Sequence, residues 1–130
     1  MRRIATAALG AVLLSGVAAT AASADASPAI APYAQAAAKV GADGTLQLTK
    51  GFDSVTKPAT GRYCLHVSDG TINLDQAIIN ATLTGDGAGA GIRVYPGPTK
   101  SCGNAARTIQ VAILDTNKAL FDQGFFVAVS

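Results

Sequence analysis

Arg107-Thr108-Ile109-Gln110-Val111-Ala112-Ile113-Leu114-Asp115 is the stretch that decides the fold. Ile109, Val111 and Ile113 recur at every second position, the period at which a strand places side chains on one face. The spacing predicts a long strand with that trio turned inward. The same rhythm runs through the neighbouring sequence. Arg62 to Ser68 aligns Tyr63, Leu65 and Val67; Gln76 to Thr84 sets Ala77, Ile79, Ala81 and Leu83 against Ile78, Asn80 and Thr82. Gly124 to Val129 sets Phe125, Val127 and Val129 against Phe126 and Ala128. Shorter strands are expected at Thr45–Thr49, Phe52–Thr56 and Gly91–Tyr95. Residues 34–40 have the composition of a helix, but the tight turn Gly41-Ala42-Asp43-Gly44 after them suits the first arm of a hairpin at least as well. Lys57–Gly61, Asp69-Gly70, Pro96-Gly97-Pro98 and Asn117-Lys118 read as turns, and Gly85–Gly91 as a glycine-rich hairpin loop. Over residues 34–130 the pattern predicts an all-β fold, an antiparallel sandwich or barrel of seven to eight short strands.

The chain ahead of this domain has a different character. Arg2 and Arg3 precede an apolar stretch of mostly small residues, Ile4 to Ala22, and Ala22-Ser23-Ala24 has the small-x-small form of a cleavage site. Residues 1–24 are therefore expected to be a secretory signal peptide, and Asp25 the first mature residue. A retained membrane anchor needs about 20 strongly apolar residues, whereas the bulky ones here, Ile4 apart, are confined to Leu9–Val17. Residues 25–33, with Pro28 and Pro32, are expected as a flexible lead. The expected location is secreted and extracellular.

Charge narrows the partners. The chain has ten Lys and Arg against eight acids, a formal charge of +2. Two of the basic residues lie in the signal, so the mature domain is expected to be neutral. No electrostatic footprint for nucleic acid or for an anionic membrane follows, and neither is an expected partner. All eight acids are Asp and none is Glu, which favours turns over helix interiors. Export puts Cys64 and Cys102 in an oxidising compartment, so a single disulfide between them is expected.

Residues that carry chemistry are few. His66 is the sole histidine. Ser68, two positions along the same strand, would lie about 7 Å away, too far for a nucleophile–base hydrogen bond, so no catalytic set is expected. Asp69-Gly70-Thr71-Ile72-Asn73-Leu74-Asp75 lacks the acidic spacing and bidentate Glu of a calcium loop and reads as a solvated turn. Gly85-Asp86-Gly87-Ala88-Gly89-Ala90-Gly91 leads into a strand rather than a helix N-terminus, so it is not a phosphate loop. No metal and no cofactor are expected. Phe125-Phe126 places one ring on each face of its strand. A two-sided core strand is the simpler reading, and a contact surface for the outward ring is the other.

Ala42-Asp43-Gly44-Thr45, Gly51-Phe52-Asp53-Ser54-Val55, Pro58-Ala59-Thr60-Gly61-Arg62-Tyr63-Cys64, Ala81-Thr82-Leu83-Thr84-Gly85 and Asp122 ahead of Phe125–Val129 occur in an order that resembles a β-rich domain of small secreted actinobacterial proteins, similar to stretches in surface and phage-tail-like chains. The resemblance covers about residues 34–130 and implies a β domain with no enzymatic role to carry over. The second cysteine of that pattern falls near the strand after the first cysteine's strand. Here the second cysteine is Cys102, in a later loop. The functional expectation is a non-enzymatic binding, adhesion or surface-structural module, whose partner is a protein or a cell-wall glycan. Gly87, Gly89, Lys100 and Phe126 are the expected contact residues. A protease inhibitor presenting residues 96–102, with Lys100 as the basic residue, is the alternative, and a small hydrolase using His66 ranks last.

Overall fold

The computed structural model describes residues 26–85 and 88–130, so the expected signal peptide and Gly87 lie outside the described residues. About half of the described residues lie in strands: β1 (Ser27–Pro28), β2 (Ala36–Val40), β3 (Leu46–Lys50), β4 (Phe52–Ala59), β5 (Arg62–Val67), β6 (Ile79–Leu83), β7 (Gly89–Pro96), β8 (Thr108–Asp115) and β9 (Phe125–Val129). The one helical element among the described residues is a 3-10 turn, Lys100–Cys102. The strands form two sheets, β1-β3-β2-β9-β6 and β4-β5-β8-β7. Every pairing is antiparallel except β1 with β3. This is the expected sandwich, with nine described strands against the seven or eight anticipated.

The period-2 pattern fixes which faces meet. Val40, Leu46, Phe125, Val127 and Val129 of the first sheet pack with Phe52, Val55, Tyr63, Leu65, Val67, Ile109, Val111 and Ile113 of the second. The expected trio of β8 is fully buried. At about 25 cal/mol per Å2 of apolar surface, this shared layer is the main drive to fold. Ile72 and Leu74, from the connection between β5 and β6, also join it.

Several local expectations are corrected. The chain between β6 and β7 is not a hairpin loop: β6 pairs with β9 and β7 with β8, so the segment crosses from one sheet to the other. Gly89 belongs to β7 rather than to a free loop, and its N–H donates to Gln123 Oε1 at 2.8 Å. The turn read over Lys57–Gly61 shrinks to Thr60-Gly61, because β4 continues to Ala59. Pro58 is tolerated there because β4 is an edge strand and its register shifts between Thr56 and Ala59. Gly61 is required: φ is +68°, and a Cβ would lie 2.6 Å from the Phe121 nitrogen. Phe126 is not part of a two-sided core. It is 46 % exposed on the outer face of the first sheet, while Phe125 is fully buried.

Residues 26–33, read from the sequence as part of a flexible lead, include β1. They are tied to the first sheet by the Ala29 N–H donating to Thr49 O at 2.9 Å and by Lys50 Nζ donating to Ala31 O at 2.8 Å. Among the described residues no helix is long and apolar enough to cross a membrane.

Candidate functional site

Sheet order assembles a polar concavity on the second sheet. In the row β5-β8-β7, Arg62 and Arg93 both register with Ala112. One pleat along, Cys64 and Tyr95 both register with Gln110. All six side chains alternate away from the core trio and so share the outer face of the second sheet. Ala112 is small, which leaves an opening between two guanidinium-bearing side chains rooted one strand apart on either side.

The Cys64–Cys102 disulfide builds the wall of this opening, with Cα atoms 5.7 Å apart across a sequence separation of 38. It fastens the 3-10 turn over the sheet, where Arg62 Nη1 donates to Ser101 Oγ at 2.6 Å. The turn is closed by the N–H groups of Cys102 and Asn104 donating to Thr99 O at 3.1 and 2.8 Å. Asn104 and Gly103 hold left-handed backbone just beyond it. The result is a groove of about 450 Å3 lined by Arg62, Arg93, Tyr95, Thr99, Gln110 and Lys118, with Ala112 on its floor. That volume is within the range of small-molecule sites, ~300–1,000 Å3.

The groove is cationic, and Leu114 and Leu120 give it an apolar side. No carboxylate lines it, and Arg62, Arg93 and Lys118 have no ion-pair partner among the described residues. The Asp115 carboxylate, at the end of β8, accepts instead from the N–H groups of Asn117 and Ala119. Gln110, only 5 % exposed, is part of the lining. Thr99 Oγ1 is buried and has no hydrogen-bond partner among the described residues.

The residues singled out from sequence fall in several places. The predicted disulfide is present. Lys100 is exposed on the stapled turn, beside the groove rather than in its lining. Phe126 is on the opposite sheet, in a smaller, mainly apolar depression with Ile30, Ala37 and Ala128. His66 is on the outer face of β5, its Nδ1 2.6 Å from Asp53 Oδ1. The Ser54 hydroxyl opposite it also turns to Asp53, at 3.4 Å, and not to the imidazole. Asp69 and Asn73 accept from the backbone N–H groups of Thr71 and Asp75, as solvated turn residues do. Among the described residues no group of three His, Cys, Asp or Glu side chains is placed to hold a metal.

Asp122, read from the sequence as a turn former, instead ties the strand ends together. Its Oδ1 accepts from the Gly61 N–H at 2.6 Å and its Oδ2 pairs with Lys57 Nζ at 2.8 Å. Partial burial pushes the carboxyl up, but Lys57 and the Gly61 N–H outweigh it and hold Asp122 below the ordinary carboxylate range. Burial, and then the Asp122 charge, push the Tyr63 hydroxyl well above its usual range. That phenol donates to Ala42 O at 2.6 Å, and its ring meets Phe125 edge-on at 5.0 Å. This cluster ties the strand ends together, away from the groove.

Compared with known proteins, the chain matches no family, no curated protein and no solved structure.

Proposed function

We propose that this is a secreted, non-enzymatic recognition module that holds its ligand in the groove between the disulfide-anchored turn and the outer face of the second sheet. One observation carries the reading: two rows of outward side chains, Arg62-Ala112-Arg93 and Cys64-Gln110-Tyr95, meet under a covalently fixed wall. Unpaired cations, an unpartnered hydroxyl and a half-exposed aromatic ring around a small-residue floor are the ingredients of a polar binding site. Fixing the wall before the ligand arrives reduces the ordering cost of binding.

The signal-like sequence of residues 1–24 and the disulfide support export. The turn and strand segments resemble those of the actinobacterial β domains, and that resemblance is the ground for proposing kinship with them. The inhibitor reading ranks lower, because protease clefts grip extended backbone and Lys100 sits in a 3-10 turn.

The test is retention of cell-wall and secreted components on the immobilised protein, alongside an Ala112→Phe variant whose ring fills the floor of the groove. A component held by the parent and lost from the variant is the expected result. Equal retention by both, or no retention at all, refutes the groove as a recognition site.

A further inference from the structure

We propose that the groove takes an acidic saccharide, a sugar ring carrying a carboxylate or phosphate that sits between Arg62 and Arg93 while the ring lies against Tyr95. This rests on the groove being the recognition site. Neighbouring strands are about 4.8 Å apart, so the Arg62 and Arg93 backbones are about 10 Å apart across Ala112. Two guanidinium groups can then approach one oxyanion from opposite sides, the planar fork geometry that suits carboxylate and phosphate. Lys118 adds a third positive charge on the rim, and no lining carboxylate competes.

The remaining groups select for a saccharide among anions. Tyr95 is 41 % exposed and registers beside Gln110. An exposed ring next to a polar floor offers a flat apolar face and hydrogen bonds to the same ligand, as a sugar requires. Gln110, part of the lining, offers amide donors and an acceptor to hydroxyl groups. Thr99 in the wall adds a hydroxyl that nothing in the described chain satisfies. An extended acidic peptide would instead use a free strand edge for its backbone, and the groove lies on a sheet face.

The experiment is an NMR titration of the purified protein, read at the Gln110 side-chain amide, with four probes: tri-galacturonate, glucose 6-phosphate, neutral maltotriose and oligo-glutamate. Galacturonate or the sugar phosphate is expected to shift Gln110, and whichever binds more tightly identifies the oxyanion. Arg93→Gln is expected to weaken that binding about tenfold or more. Lys39→Gln, on the other sheet and with the same change in net charge, is expected to alter it less than twofold. Tyr95→Ala is expected to weaken binding of the sugar phosphate but not of inorganic phosphate, titrated as a fifth probe. Binding of maltotriose as tight as that of the acidic sugars overturns the inference, as does a preference for oligo-glutamate or an equal loss in Lys39→Gln. In the first two cases Gln110 still shifts and the recognition groove survives. If no probe shifts Gln110, the acidic-saccharide inference fails, and the Ala112→Phe retention assay decides separately whether the groove recognises anything.

Discussion

Removing the disulfide with Cys64→Ala/Cys102→Ala tests whether one bond supports both the fold and the groove. The loop it closes has a sequence separation of 38. In the chain-entropy treatment, a loop of that size restricts the unfolded state by about 13 cal/mol/K, or about 4 kcal/mol at 25 °C. Alanine is the right replacement because Cys64 is 94 % buried, and a serine hydroxyl there would add a desolvation cost of its own. For a domain of this size, about 4 kcal/mol corresponds to a fall in Tm of roughly 16–32 °C. Urea denaturation followed by circular dichroism gives the free energy directly. The slope should rise slightly as well, because the unfolded chain is no longer looped. A loss below about 1 kcal/mol would refute the entropic account, and would mean that the unfolded chain is already compact around this loop. The groove supplies an independent readout, since Arg62 and Ser101 lose the anchor that holds them together. A variant that stays folded should show altered Gln110 and Ser101 resonances, with little change at Phe126 on the other sheet.

The two adjacent phenylalanines should separate cleanly: Phe125→Ala should cost about 3–5 kcal/mol, since the ring is fully buried against Tyr63, while Phe126→Ser should stay within about 1 kcal/mol; equal losses in urea melts would mean that the outward ring is covered. Asp122→Asn should flatten the acid limb of stability. The folded carboxyl is held below 3.8, so its contribution is fully present above the unfolded pKa of ~3.9 and disappears as pH falls through the folded value; an unchanged acid limb in urea melts between pH 5 and pH 2 would refute the Lys57 and Gly61 account.

Alternation alone made most strands legible. Tyr63, Leu65 and Val67, the β8 trio, and Phe125, Val127 and Val129 are all inward, as their spacing requires. What the sequence did not disclose is pairing. Gly85–Gly91 has the composition of a hairpin loop, and only the pairing of β6 with β9 and of β7 with β8 turns it into a crossing between sheets. Phe126 was ambiguous for the same reason, because whether an outward ring is covered depends on a second layer that no local pattern encodes. Asp122 was readable as a turn residue, but its partners Lys57 and Gly61 lie some 60 positions earlier. The groove was hidden in the same way. Arg62 and Arg93 each read as an ordinary outward strand residue, and only the order β5-β8-β7 sets both opposite Ala112.

The distribution of satisfied and unsatisfied polar groups separates scaffold from site. Elsewhere in the fold, polar side chains at the sheet ends find partners: Asp122 with Gly61 and Lys57, Gln123 with Gly89 and Thr84, and Arg107 with the carbonyls of Val67, Asp69 and Ile72. A buried group left without a partner costs about 1–3 kcal/mol, a large fraction of a domain's net stability. Thr99 carries such a cost, and it lines the groove beside the disulfide-anchored turn. An apolar residue there would remove the cost without touching the core trio of β8. A local polar choice at odds with stability points to a demand other than folding at that place. The cations flanking Ala112 indicate what that demand is: a ligand that brings its own negative charge and its own hydrogen-bonding groups.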